Sequence, residues 1–138
     1  MIGIQYITNP EKRLTLVLIL TSIHSFCVGI GLILQLPILM EWFGFGHIAQ
    51  SFFPAQGGIF HILMSVAYTI AALRPNKNDN LIKFIIIVKI AATLFLFIYF
   101  LFIDPIWMIL LSGISDGVLA ILILTSYKSF KNSVNNNG

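Results

Sequence analysis

The sequence has few charged side chains, and this shortage limits the kinds of protein it can be. Only 9% of its 138 residues are charged, whereas soluble domains carry about 25%. Hydrophobic residues make up 58% of the chain, which is more than a soluble fold of this size can hide from water. The composition therefore predicts an integral membrane protein, in which lipid covers the apolar surface.

The chain also has a single cysteine and no clustered basic face. Cys27 lies within the first apolar run and cannot form an intramolecular disulfide, so we interpret it as a small core residue. The net charge of +3 comes from eight basic and five acidic residues. Because the basic residues stand in short groups between apolar runs, nucleic-acid binding is not predicted.

Four long apolar segments make up most of the chain, at residues 14–36, 57–73, 81–103 and 106–127. A helix needs about 20 residues to cross a bilayer, and only the second segment requires flanking residues to reach that length. The runs lack strand-like alternation, and open strand edges do not persist in lipid. We predict an all-α, four-helix membrane domain over residues 1–131, followed by a disordered, asparagine-rich tail at 132–138.

The basic residues predict the orientation of this bundle. Every Lys and Arg except Lys89 falls near the chain ends or at the second connection: Lys12, Arg13, Arg74, Lys77, Lys83, Lys128 and Lys131. Cytoplasmic loops carry an excess of such residues. The amino and carboxyl termini are therefore predicted to be cytoplasmic, and a bacterial inner (plasma) membrane is the expected location.

The first and third connections differ in character. Residues 37–56 are apolar and aromatic yet contain Glu41 and His47, which predicts a short interfacial or re-entrant segment between the first two spans. The third connection, Asp104-Pro105, predicts a tight turn in which Asp104 is the N-cap of the fourth helix.

Three ionisable residues fall at similar depth inside the predicted helices, namely His24, Lys89 and Asp116. An ionisable residue at mid-bilayer costs about 2.5–3.5 kcal/mol on insertion scales, so each one requires a partner or a role. We predict an ion pair between Lys89 and Asp116, with His24 close by. Two interpretations stay open: the pair fixes the register of two helices, or it belongs to a ligand or proton site.

A second polar group is predicted towards the outer face, where Gln35, Glu41, Gln56 and His61 fall. Gly57 beside them begins a glycine pair that indicates close approach of a neighbouring backbone or ligand. The predicted ligand-binding or buried polar cluster combines residues of both groups: His24, Gln35, Gln56, His61, Lys89 and Asp116. The chain's three histidines have no recognised metal-ligand spacing, so no metal site is predicted.

These features resemble those of the DoxX-like superfamily of small four-helix bacterial membrane proteins over residues 14–127. The resemblance rests on the number of helices, a glycine-bearing first helix followed by an interfacial segment, the Gly57-Gly58 start of the second helix, and the Asp116-Gly117 step. It implies an inner-membrane protein, in a group that includes members associated with quinone-linked oxidation. No catalytic motif of that group maps onto this chain.

Two functions remain as hypotheses. The first is a binding or accessory subunit that holds a lipid-like or quinone-like ligand or docks a membrane partner. The alternative is a small intramembrane enzyme of isomerase or oxidoreductase type, with Asp116, Glu41 or His61 as the acid–base group. The sequence contains no P-loop, dinucleotide fingerprint, HExxH or nucleophile elbow, which favours the first hypothesis. The expected partners are membrane lipids and a second membrane protein or a second copy of the chain.

Overall fold

A computed structural model describes residues 9–46 and 49–136, and the regular structure there is helical throughout. Four helices are long and apolar enough to cross a membrane: α1 (Pro10–Leu34), α3 (Phe52–Leu73), α4 (Asp79–Phe102) and α5 (Trp107–Asn136). A six-residue helix, α2 (Pro37–Trp42), follows α1, and a 3₁₀ turn at Pro75–Lys77 joins α3 to α4. The predicted all-α, four-helix membrane fold is confirmed.

Local sequence determines where α1 begins and ends. The side chain of Asn9 accepts hydrogen bonds from the backbone N–H groups of Glu11 and Lys12, at 3.0 and 3.2 Å. These bonds satisfy donors that a helix start leaves without partners. α1 ends where Gln35 adopts left-handed backbone (φ 43°) and donates its N–H to the carbonyl of Gly31. The chain then turns directly into α2.

α5 differs from the predicted fourth helix at both ends. It begins at Trp107, and the carbonyl of Ile106 accepts the first-turn bond from Leu110, so Asp104 is not its N-cap as predicted. At the other end it continues through Asn136, which corrects the prediction of a disordered tail for residues 132–136. Burial of Phe130, which is 4% exposed, extends the packed face of α5 beyond the apolar run. Residues 1–8 and 137–138 lie outside the described part of the chain.

The four long helices form a square arrangement, and one of the four contacts between neighbouring helices is weaker than the others. α1 packs most extensively on α3, and α4 packs most extensively on α5. α1 also contacts α5, whereas the contact between α3 and α4 is the weakest of the four. The order around the bundle is therefore α3, α1, α5, α4, and the bundle is most open between α3 and α4.

The hydrophobic core occupies one end of this square, which we call the core end. Its members come from the start of α1, the end of α3, the start of α4 and the end of α5: Leu14, Leu18, Tyr68, Ala71, Ala72, Ile82, Ile85, Ile86, Ile123, Tyr127 and Phe130. The opposite end carries α2, and we call it the α2 end. Among the described residues, the buried apolar side chains near the α2 end are those of Met40 and Ile109. Packing is therefore dense at one end and sparse at the other.

Hydroxyl side chains join α1 to α3 through the middle of the bundle. Ser22 Oγ donates to the carbonyl of Ser65 at 2.7 Å, and Ser25 Oγ donates to the carbonyl of His61 at 3.0 Å. Ser22 also shares a hydrogen bond of 2.9 Å with the hydroxyl of Thr69. Interhelical bonds of this kind contribute to helix association in lipid, where no hydrophobic effect acts between helices.

Two expectations about single residues of α1 and α3 change. Cys27 is exposed on the outer surface of α1, so its predicted core position is wrong. Of the glycine pair at the start of α3, Gly58 makes the close approach to α1, whereas the nearest atom to a Cβ on Gly57 would be Leu32 Cδ1 at 3.9 Å.

Aromatic side chains attach the segment around α2 to the start of α5. The indole N–H of Trp107 donates to the carbonyl of Trp42 at 3.2 Å, and the two rings meet edge to face with centroids 5.8 Å apart. The ring of Phe43 also meets Trp107 edge to face. α2 is therefore the predicted short segment between the first two spans, and it is held against the bundle by indole contacts.

Candidate functional site

The buried ion pair between α4 and α5 is present as predicted. Lys89 Nζ contacts Asp116 Oδ1, and the two residues are only 2% and 6% exposed. Thr93 Oγ1 donates to the carbonyl of Lys89 at 2.8 Å, and the ring centroid of Tyr68 lies 5.6 Å from the ammonium. The charge of Asp116 is thus neutralised by a lysine that also faces an aromatic ring.

His24 approaches this pair from α1. Its Nε2 lies 3.2 Å from the hydroxyl of Ser115, the residue next to Asp116. Its Nδ1 is buried and has no hydrogen-bond partner among the described residues. A neutral imidazole has one donor and one acceptor nitrogen, so one of these functions is unused in this arrangement. The predicted proximity of His24 to the ion pair is confirmed.

His61 completes the group from α3. Its Nδ1 lies 3.2 Å from the hydroxyl of Ser25, the residue next to His24 on α1. Each of the four long helices therefore contributes to one group at mid-bundle, which we call the polar centre: His24, His61, Tyr68, Lys89 and Asp116.

The other predicted members of the cluster lie elsewhere. Gln35 is at the α2 end, where its Nε2 donates to the carbonyl of Ser51 at 3.0 Å. Gln56 is exposed and therefore not part of a buried cluster, and a ligand-binding role for it stays a prediction. Glu41 is exposed as well and lines a cavity of about 290 Å³ together with Gln35. Gln35 and Glu41 therefore stay together towards one end, as the predicted second group had them, whereas His61 of that group lies at the polar centre.

The largest of the cavities described here lies on the loose side of the bundle, at the α2 end. It has a volume of about 560 Å³, within the 300–1,000 Å³ that is typical of small-molecule sites. α3, α4, α5 and the segment after α2 all contribute to its wall: Phe45, Phe53, Pro54, Phe95, Leu96, Tyr99, Asp104, Ile106 and Ile109. We call it the aromatic cavity.

Two polar groups lie in the wall of the aromatic cavity. The Tyr99 hydroxyl and the Asp104 carboxylate have no hydrogen-bond or ion-pair partner among the residues that the structure describes. The backbones of the two residues meet, because the N–H of Asp104 donates to the carbonyl of Tyr99 at 3.0 Å. The wall is otherwise apolar, so a bound molecule would find these two groups available.

The polar centre is separate from the three cavities described here. A third cavity, of about 380 Å³, lies between α1 and α3 and is lined mainly by Ser22, Phe26, Ile62, Ser65 and Thr69. None of the three is lined by a charged member of the polar centre. The ion pair therefore has no adjoining space for a substrate in any of them.

The described residues contain no group of three or more His, Cys, Asp or Glu side chains that could hold a metal ion. His47, which the sequence placed near the outer polar group, lies outside the described residues.

No protein-family model matches the chain, and no curated protein or solved structure matches it either. Sequence reasoning missed Tyr99 and Phe95, since both stand in an uninterrupted apolar run where an aromatic side chain is unremarkable. The sequence feature in this region was Asp104-Pro105, which was interpreted as a tight turn with Asp104 as an N-cap.

Proposed function

We propose that this small multi-pass membrane protein binds a hydrophobic ligand, lipid-like or quinone-like, in the aromatic cavity. The observation that carries the proposal is an apolar cavity of about 560 Å³ whose wall includes two polar groups that have no partner among the described residues. Small-molecule sites are typically lined by hydrophobic and aromatic side chains with a few polar groups that orient the ligand.

The position of the cavity supports an entry route from the membrane. It lies where α3 and α4 have the weakest contact, and the aromatic side chains at its edge are strongly exposed: Phe53 at 69% and Phe95 at 62%. In a bilayer such surfaces face lipid. A ligand dissolved in the membrane can therefore reach the cavity sideways, without crossing water.

In this proposal the polar centre is a structural element. Lys89 and Asp116 neutralise each other while buried, and they fix the register of α4 on α5. The alternative, an intramembrane enzyme, is favoured by one observation, the buried Nδ1 of His24, which has no hydrogen-bond partner in the part of the chain that the structure describes. It has weaker support, because Asp116 is occupied by Lys89 and Glu41 lies at the α2 end.

We expect a cavity-narrowing substitution to abolish ligand binding. Leu96→Trp places an indole in the wall of the aromatic cavity, whereas Leu94→Trp makes the same change at a neighbouring residue that is 58% exposed outside it. Native mass spectrometry of protein purified in mild detergent should show a co-purified adduct with wild type and with Leu94→Trp, and a loss of about tenfold or more with Leu96→Trp. Equal adduct levels in the two variants, or no adduct with wild type, would contradict the proposal.

We also propose a bacterial inner-membrane location, which the resemblance to DoxX-like proteins implies, and an orientation with both termini in the cytoplasm. The support is the distribution of basic residues at the core end. Lys83 and Lys131 both contact Asp79 there, at 2.7 and 3.0 Å, which joins the start of α4 to the end of α5.

Cysteine labelling tests this orientation. With Cys27→Ser as background, a membrane-impermeant maleimide should label Ala49→Cys in spheroplasts, because residue 49 is exposed at the α2 end. Asn76→Cys, exposed at the core end, should be labelled only in inside-out vesicles. The reverse pattern would show that the termini face outward, and labelling of both sites in spheroplasts would exclude this topology.

A further inference from the structure

The polar and aromatic groups in the wall of the aromatic cavity indicate which head group its ligand has. This inference rests on the proposed function, in which the cavity binds a ligand. From the chemistry of its wall, we infer that the cavity selects an amphiphile whose head group donates hydrogen bonds, an ammonium or a hydroxyl, on an apolar body. The carboxylate of Asp104 and the hydroxyl of Tyr99 are the groups that would recognise that head.

The first step concerns Asp104. An ionised carboxylate only accepts hydrogen bonds and repels other acceptors. Asp104 is exposed and has no partner among the described residues, and it does not cap α5, which begins at Trp107. A quinone or a carboxylate would bring acceptor oxygens against this group. An ammonium or a hydroxyl, including that of a quinol, would bring a donor.

The second step concerns the aromatic rings. Phe95 and Tyr99 stand together on α4 with ring centroids 5.8 Å apart, and Phe53 and Phe45 complete the aromatic part of the wall. Ring faces attract cations, most strongly where water is excluded. They also pack against any apolar body, so they favour an ammonium head without excluding a hydroxyl head.

The third step concerns geometry. Asp104 is held close to Tyr99 by the hydrogen bond from its N–H to the Tyr99 carbonyl, and Pro105 restricts the backbone that follows. The two residues therefore belong to one turn at the end of α4. Both line the cavity, and the other lining residues, from α3, α4, α5 and the segments beside them, are apolar. This polarity matches a ligand with one polar end.

The test uses matched amphiphiles and the full chain in nanodiscs of uncharged phospholipid. Binding of dodecylammonium, dodecanol and dodecanoate is measured at neutral pH, and partitioning into empty nanodiscs is subtracted. We expect dodecylammonium and dodecanol to bind and dodecanoate to bind at least about tenfold more weakly. Retention of dodecylammonium alone would identify an amine ligand, and comparable retention of dodecanol would identify a hydroxyl ligand.

Substitutions connect this selectivity to the two residues. Asp104→Asn should weaken the binding of dodecylammonium about tenfold and reduce the preference of the protein for dodecylammonium over dodecanoate. Tyr99→Phe should weaken the binding of both dodecylammonium and dodecanol about threefold. Glu11→Gln removes the same charge at the core end, and it should change neither value. The inference is overturned if Asp104→Asn leaves the preference intact, or if the three amphiphiles bind wild type equally.

Failure of the inference is distinguishable from failure of the proposed function. Equal binding of all three amphiphiles that is lost in Leu96→Trp would keep the cavity as a ligand site and reject the head-group assignment. Absence of specific binding for all three would reject both.

Discussion

Replacement of Lys89 or Asp116 alone is expected to destabilise the bundle more than replacement of both. Each single substitution, Lys89→Met or Asp116→Asn, leaves the other group buried without its partner, since the two residues are 2% and 6% exposed. Breaking one side of a buried pair costs about 3–5 kcal/mol, whereas replacing both groups is often close to neutral. The free energy of unfolding, measured by titration with dodecyl sulfate in mixed micelles, should therefore fall most in the single variants.

The double variant Lys89→Met/Asp116→Asn completes a double-mutant cycle with wild type and the two single variants. The cycle gives the coupling energy between the two side chains. Lys128→Met is the matched control, because Lys128 is exposed and lies on α5 near the core end. It should leave the unfolding free energy within about 0.5 kcal/mol of wild type. If both single variants unfold like wild type, the pair does not hold α4 on α5. The interpretation of the polar centre as a ligand or proton site would then be favoured.

The sequence predicted the parts of the fold that follow from the bilayer. Apolar runs of spanning length identify α1, α3, α4 and α5, and the cost of a buried charge identified Lys89 and Asp116 as partners across two helices. The free energies behind both predictions are large and act locally or between a few residues. Both predictions can therefore be made without knowing how the helices pack.

The faces that the helices use were harder to predict. The residues of α1 singled out from the sequence were His24 and Gln35, yet the contact with α3 is made by Ser22, Ser25 and Gly29. Serine and glycine on a lipid-facing surface cost little free energy, so their positions in the sequence did not indicate which face of α1 packs. Which of two weakly polar faces packs is decided by the partner helix, and a single sequence does not reveal that partner.

The aromatic cavity was beyond prediction for a related reason. Its wall combines α3, α4, α5 and the segment after α2, and it exists because α3 and α4 separate at the α2 end. In the sequence, nothing distinguishes Phe95 and Tyr99 from the other apolar residues of the same run. Only the relative position of the helices turns them into the lining of a site.

Substitution of Gly29 or Gly58 by alanine is expected to separate α1 from α3. A Cβ on Gly29 would lie 2.8 Å from the carbonyl oxygen of Gly58, and one on Gly58 would lie 2.6 Å from that of Gly29. Side-chain carbons of Ile62 and Ile33 would lie as close, but the two carbonyl oxygens are backbone atoms, so a change of rotamer cannot relieve the clash. Overpacking of this kind costs about 1–3 kcal/mol, and in this bundle the two helices must move apart. The same dodecyl sulfate titration should show the loss of unfolding free energy.

Gly31→Ala is the control on α1, because a Cβ at Gly31 would have no other atom within 4 Å. Gly57→Ala is the control on α3, since its nearest neighbour would be Leu32 Cδ1 at 3.9 Å. Both should unfold within about 0.5 kcal/mol of wild type. Equal losses in all four variants would indicate a general effect of removing glycine, and would contradict the close crossing of Gly29 and Gly58. A loss confined to those two would establish that α1 and α3 associate through direct backbone contact, which leaves the weaker contact between α3 and α4 as the side that opens to the membrane.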